Sequence, residues 1–271
     1  MFMNERLLEL APAALRSKEL GAEDGVSRHY QFMTTTEIIE GLSKMGWDLF
    51  DAKQQRSKKR PETTKHMLVF RNQQYGTLGN NGNIPQILLI NSHDRTAALK
   101  FMVGIFRNIS FNSLIVCDET FDRYNIRHMG TTFEAVKGNI NHITENLPEV
   151  FNAINRFEGI IMSPEDQLNF AINSLAIRFP EYIDTKTNEV RSDIIQKKVN
   201  VEDLLVAERE EDKGDNLWLT FNRVQGHIIN GGFQRMGITD QSKSVRPLTN
   251  IRMNILVNKG LWKLMDDYSQ G

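Results

Sequence analysis

The amino-acid sequence predicts an α+β protein, an antiparallel sheet packed against one long helix, with a mainly helical C-terminal part. Three observations carry that prediction. Short apolar, β-branched and aromatic runs between His66 and His128 are separated by brief polar turns, as in successive paired strands. From Thr131 the apolar positions switch to spacings of three and four, the mark of a helix with one buried face. Beyond residue 160 helix-start and helix-stop signals dominate to the end. The expected organisation is an N-terminal helix and linker over 1–27, an α+β core over 28–160, and a helical region over 161–271 packed on that core.

In chain order, Leu7, Leu8, Leu10 and Leu15 suggest a short amphipathic helix. Arg28 to Phe32 suggests a strand. Thr34-Thr35-Thr36-Glu37 offers an N-cap ahead of Ile38, Ile39, Leu42 and Met45, and Gly46 ends that helix. Trp47, Leu49 and Phe50 open a strand that runs into a basic segment, and His66 to Arg71 returns, forming a hairpin with a positive tip. The Gly- and Asn-rich stretch from Gln73 to Pro85 is a loop; it has no phosphate-loop lysine and opens no helix. Gln86–Ile90 is a buried strand leading into the corner Asn91-Ser92-His93-Asp94. Ala97–Phe106 and Ser113–Val116 are strands joined by a turn over 108–112, and Arg123–His128 is a further short strand.

Phe133, Val136, Ile140, Ile143, Leu147, Val150, Phe151 and Ile154 then mark one long helix, with Pro148 inside it. Ser163-Pro164-Glu165-Asp166 starts another helix, ending near Phe179-Pro180. Residues 184–200 are polar, and Val201 to Asp215, with its acidic run at 208–212, reads as a mobile or solvated connection. Leu217 begins a helix capped by Asn230-Gly231-Gly232. A basic loop over 236–247 follows. The final helix, Thr249 to Tyr268, has Met253, Ile255, Leu256, Leu261, Trp262, Leu264 and Met265 as its apolar face.

Composition excludes several classes. Of the 271 residues 40% are hydrophobic and 25% charged, which suits a folded globular chain rather than a disordered one. Lys and Arg number 33 against 34 Asp and Glu, so a nucleic-acid surface must come from local clustering. The single cysteine, Cys117, precludes an internal disulfide and a cysteine zinc knuckle, and the acids beside it make it a poor nucleophile. Glu5, Arg6 and Glu9 interrupt the opening apolar positions, unlike a signal peptide, and no later run reaches membrane-spanning length. A cytoplasmic protein is expected.

The densest local charge is the hairpin tip, where Lys53, Arg56, Lys58, Lys59, Arg60 and Lys65 face Glu62 alone. Such a field suits phosphates through counterion release, although charge runs also serve simply to solvate an edge. Arg71, Arg107 and Arg246 are further candidate nucleic-acid contacts. A second set, Asn91, His93, Asp94, His128, Asn222 and Gln225, forms a candidate polar cluster, structural or functional. His66, His93, Asp94 and His128 are metal-ligand residue types, but no two histidines stand at a short ligand spacing, so no metal, cofactor or catalytic residue is assigned. No nucleophile elbow, phosphate loop or dinucleotide fingerprint is present, and a non-catalytic role is expected ahead of an enzyme.

Several stretches together resemble the phage/plasmid-like protein family, a domain of unknown function (the 932 family) found in phages, prophages and plasmids. They are Arg28-x-Tyr30 with the helix at Thr36, His66-Met67 to Arg71, Pro85 to Asp94, Gly104 to Arg107 and Arg127-His128. Later come Asp215-x-Leu217-Trp218, Asn222-Arg223-Val224-Gln225, Gly231-Gly232, and Asn258 with Leu261-Trp262. The chain departs from the family pattern at Arg95, where a Gly is common, and at Asn112-Ser113, where an Asn-Gly turn is common. The resemblance implies a mobile-element origin and brings no settled activity.

Two readings from different classes follow. In the first, the protein is a DNA-metabolism accessory that binds single-stranded DNA through the positive hairpin and aromatics such as Tyr30, Trp47 and Phe70, with annealing or recombination as its setting. The strand and helix order over 97–157 is similar to the core of single-strand annealing proteins, an analogy of fold alone. Annealing would require a homo-oligomer. In the second, the protein occludes a host defence complex, as an anti-restriction or anti-CRISPR factor does. A metal-dependent nuclease is the third alternative.

Overall fold

The computed structural model describes residues 7, 9–15, 34–56, 61–75, 83–93, 99–107, 112–116, 125–126, 133–237 and 241–270. Contacts divide the chain into two units, Met1–Pro148 and Glu149–Gly271. The first is built on a six-stranded antiparallel sheet. Its strands are β1 (Asp48–Gln54), β2 (His66–Arg71), β3 (Asn83–Asn91), β4 (Leu99–Arg107), β5 (Asn112–Val116) and β6 (Asn125–Ile126). They pair in sequence order, except that β6 joins β4 beside β5. Successive residues of the inner strands are all buried: Leu68, Val69 and Phe70, then Ile87 to Ile90, then Phe101, Met102 and Val103. Runs apolar at every position, not every second one, belong to a sheet covered on both faces. That sheet therefore offers no open platform along its central strands.

Helix α1 (Thr35–Lys44) packs over β1. Its start is a capping box: Thr34 accepts from the Glu37 backbone while the Glu37 carboxylate accepts from the Thr34 backbone. Because Thr34 takes the cap, Thr35 enters the first turn and turns inward, fully buried. Gly41 permits close packing in the same helix, since a Cβ there would overlap the Phe133 ring. Helix α2 (Phe133–Glu158) runs unbroken through Pro148, and Val136, Ile140, Ile143 and Leu147 are its buried stripe in the first unit.

The second unit is helical. Helices α3 (Pro164–Arg178), α5 (Leu217–Asn230) and α6 (Ile251–Gln270) pack together, with the short α4 (Ser192–Lys198) against α3. Ser163 caps α3 by accepting from Asp166 N at 3.1 Å, and Pro164 occupies the first helical position. Phe157 meets Trp262 edge-on at 5.5 Å and Phe170 meets Tyr268 at 5.3 Å, while Gly260 lets α6 approach Ile177 of α3. Gly231 ends α5 at φ 76°, where a Cβ would overlap the Val245 carbonyl oxygen. Gly231→Ala is expected to lower stability by about 2–3 kcal/mol in urea denaturation, through strained φ and the clash together.

Several elements differ from the sequence expectation. Of the N-terminal helix, the described part is a 3₁₀ turn over Pro12–Leu15 that buries Ala13 and Ala14, with Ala11 buried just before it and Leu10 and Leu15 exposed. The strand at 28–32 and the Gly-Asn loop at 76–82 lie outside the described residues. Residues 201–215 are a solvated connection only in part: Glu208, Glu210 and Glu211 are exposed, but both ends of the stretch are tied to helices. Val201 and Leu204 are buried in a 3₁₀ turn packed on α3, and Arg223 of α5 reaches back to the acidic stretch, its Nη1 donating to the carbonyls of Asp212 at 2.7 Å and Gly214 at 2.6 Å. Nη2 donates to Gln167 Oε1 and Thr220 Oγ1, and burial lowers the Arg223 pKa against the opposing charges of Asp212 and Asp215. Replacing Arg223 with Met should cost about 2–3 kcal/mol in the same assay, because the carbonyls lose a charged donor.

The basic loop at 236–247 contains part of a two-stranded hairpin, β7 (Gln234–Met236) with β8 (Ser242–Ser244). The buried face of α6 is Ile251, Val257, Asn258, Leu261, Trp262 and Met265, whereas Met253 and Leu256 face outward. A polar residue, Asn258, completes that face and shifted the apparent apolar stripe.

Candidate functional site

The positive segment is the connection of the β1–β2 hairpin. Lys53 pairs with Met67 and Gln54 with His66, and Gln55 N donates to Lys65 O at 2.9 Å. A 3₁₀ turn over Pro61–Thr63 brings the chain back, held by Gln54 Nε2 and Thr64 Oγ1, both donating to Pro61 O. Lys53 and Arg56 are exposed and Lys65 is half-buried. Lys53 lies 3.7 Å from Asp51, an exposed ion pair that leaves its charge largely available. Lys58, Lys59 and Arg60 lie outside the described residues.

Arg71 stands at the opposite end of β2 from this tip, roughly 20 Å along the strand at about 3.3 Å per residue. Its guanidinium lies over the Phe50 ring, 3.1 Å from the centroid, and donates to Gln86 Oε1 through Nε at 2.8 Å and Nη2 at 2.9 Å. Burial lowers its pKa to about 10 against the opposing pull of Asp51. These contacts make Arg71 a brace between β1, β2 and β3. Arg107 pairs with Asn83 at the far end of β4, with its side chain outside the description, and Arg246 belongs to the second unit. Trp47 and Phe70, two of the aromatics considered for base stacking, are core residues; Trp47 stacks on Tyr75 at 5.6 Å. Tyr30 is outside the described residues.

Directly behind the hairpin tip lies a buried polar cluster. It gathers Thr35 from α1, His66 from β2, and Asn91, Ser92 and His93 from the end of β3, every one of them at most 1% exposed. The Thr35 hydroxyl is its hub: Asn91 Nδ2 lies 3.2 Å from Oγ1, His66 Nε2 3.2 Å and His93 Nε2 3.4 Å. His66 Nδ1 faces the Thr64 carbonyl at 3.1 Å, which only accepts, so Nδ1 carries a proton. Asn91 Nδ2 donates to the hydroxyl, and both imidazole Nε2 atoms share it. The rings lie 5.4 Å apart.

Two of those contacts lead into the tip. His66 holds Thr64, and the His93 backbone N–H donates to Thr63 O at 2.9 Å. The cluster therefore anchors the return arm of the cationic hairpin to α1 and to the end of β3. Among the described residues no group of three or more His, Cys, Asp and Glu gathers as a metal-binding set. Asp94 and His128 lie outside the described residues. Thr35 and Thr63 were not legible as members from sequence; the one signal was the capping box, which assigns the cap to Thr34 and frees Thr35.

Asn222 and Gln225 lie in the second unit and have local partners. Asn222 Nδ2 donates to Trp218 O at 2.6 Å, and Gln225 Nε2 to Asn258 Oδ1 at 3.1 Å, tying α5 to α6. Asn258 in turn donates to Asn254.

A family model described as a domain of unknown function (DUF932) matches residues 24–258. The chain belongs to that family. The match takes in the whole β1–β2 hairpin, the histidine corner and most of the helical unit. Two relatives in Escherichia coli strain K12, UPF0380 protein YafZ and UPF0380 protein YfjQ, are each 26% identical over 271 residues, covering 97% of this chain and 89% of the relative. No solved structure matches. Members of a family so described bring no activity with them, and the site has to be read from its own chemistry.

Proposed function

We propose that this family member is a non-catalytic DNA-binding accessory protein of a mobile genetic element, gripping the phosphate backbone with the β1–β2 hairpin tip. The observation that carries the reading is the hairpin root bearing Lys53, Arg56 and Lys65, locked into the core, with Lys58, Lys59 and Arg60 between its two arms in the sequence. A rigid root with a cationic tip delivers several charges to one stretch of backbone at low ordering cost, and each phosphate neutralised releases counterions. The mobile-element setting rests on the resemblance to phage and plasmid proteins, and the work belongs to annealing or recombination in the bacterial cytoplasm. Because Trp47 and Phe70 are core residues, the grip is electrostatic rather than a base-stacking platform. Single strands remain the favoured form for an annealing role.

The test is fluorescence anisotropy with single- and double-stranded oligonucleotides, comparing the natural chain with the variant Lys58→Ala/Lys59→Ala/Arg60→Ala. Salt-sensitive binding that the variant weakens supports the reading; equal binding by both chains sinks it. The alternative of occluding a host defence complex would give no salt-dependent DNA affinity.

A further inference from the structure

A second cationic feature lies in the helical unit, where the C-terminus of α5 meets the β7–β8 hairpin. There a shallow, open cleft is lined by Asn230, Gly232, Lys243, Ser244 and Arg246, together with Val245 and Pro247. Its frame is made by backbone. Gly231 and Gly232 hold positive φ in succession, at 76° and 93°. Gly232 N donates to Val245 O at 2.9 Å, and Val245 N to Phe233 O at 2.9 Å. From beneath, the Arg178 guanidinium donates to the carbonyls of Ile228 and Arg246, fixing the segment that bears Arg246. Those two bonds commit Arg178 to the frame; burial, and next the charge of Arg235, lowers its pKa to about 10.

The lining itself is cationic and rich in donors. Lys243 and Arg246 are exposed, and no carboxylate pairs with either among the described residues. Ser244 adds a hydroxyl, and no Asp or Glu among the described residues lines the cleft. A Cβ added at Gly232 would meet nothing within 4 Å, so the backbone faces open space there. Two cations, a hydroxyl and an open glycine make a setting for tetrahedral oxyanions carrying charge.

We infer that this cleft is a phosphate-binding site, taking either a backbone phosphodiester of bound nucleic acid or the phosphoryl group of a free nucleotide-sized compound. The first source rests on the DNA-binding reading; the second does not. The experiment uses the full chain and the variant Lys243→Ala/Arg246→Ala, whose changes are on the surface and whose folding is verified by thermal melting. Anisotropy with an oligo-dT strand and calorimetry with inorganic pyrophosphate and thymidine monophosphate are measured at about 0.15 M salt. Losing two phosphate contacts should weaken oligonucleotide binding on the order of tenfold, from a slope of about 0.7 per contact on single strands.

A tenfold loss toward the oligonucleotide, with no pyrophosphate or nucleotide binding, assigns the cleft to the nucleic-acid backbone. Pyrophosphate or nucleotide binding that the variant loses assigns it to a free phosphoryl compound, and does so even if the natural chain ignores DNA. Identical behaviour of variant and natural chain toward all three probes overturns the inference, while a hairpin-tip variant that still weakens DNA binding leaves the proposed function standing.

Discussion

Replacing Thr35 with Val is expected to cost the first unit about 2–4 kcal/mol, because three buried side chains each lose their hydrogen bond to its hydroxyl. Valine has the shape of threonine, so the core volume is kept and the loss isolates hydrogen bonding. Asn91 Nδ2 loses an acceptor, and the Nε2 atoms of His66 and His93 each lose a hydrogen-bond partner. A burial penalty for each, partly relieved by local adjustment, gives the range stated. Thr35→Ser keeps the hydroxyl and should recover most of it, losing only what a buried methyl contributes, about 1 kcal/mol. Urea unfolding followed by far-ultraviolet circular dichroism measures both. Equal midpoints for the Thr35→Val variant and the natural chain would mean that the hydroxyl is not the hub and that the hairpin root is held in some other way.

The second large effect concerns the tip. Lys58→Ala/Lys59→Ala/Arg60→Ala removes three of the six cations in the 53–65 segment, leaving Lys53, Arg56 and Lys65. At about 0.7 counterions per single-strand contact, the slope of log affinity against log salt should fall by about 2, and affinity at 0.15 M salt by roughly fiftyfold. Arg71→Ala is the contrasting variant. Its guanidinium is occupied by Phe50 and Gln86, so it should lower stability and leave the salt slope unchanged. A salt slope altered as much by Arg71→Ala as by the tip variant would mean that binding follows the intact sheet and not the tip.

Much of the scaffold was legible because local signals agreed with the fold. The capping box at Thr34, Pro164 behind Ser163, the left-handed Gly231 and the apolar runs of β2 to β4 each act within a few residues. The span Val201–Leu205 escaped because its two buried side chains are too few for a periodic signal and sit beside a run of acids, whose order depends on Arg223 from a later helix. In α6 the buried Asn258 disguised the stripe, since its amide is satisfied by Gln225 and Asn254, and the Gln225 half of that pairing is invisible along a single helix. At the site, the cations of the hairpin and the corner residues Asn91 and His93 could be picked out by type. What could not be read was the convergence of His66 and His93 on Thr35, from positions 31 and 58 residues away, which only the β2–β3 register and the seating of α1 bring about.

The most direct measurement is the affinity of the natural chain for a fluorescent single-stranded oligonucleotide between roughly 0.05 and 0.3 M salt, the window where counterion release is steep. Six tip cations engaging phosphates predict binding that weakens linearly in log–log form, with a slope of roughly −4. No binding at the lowest salt, or an affinity that does not move with salt, would contradict the account and turn attention to a protein partner.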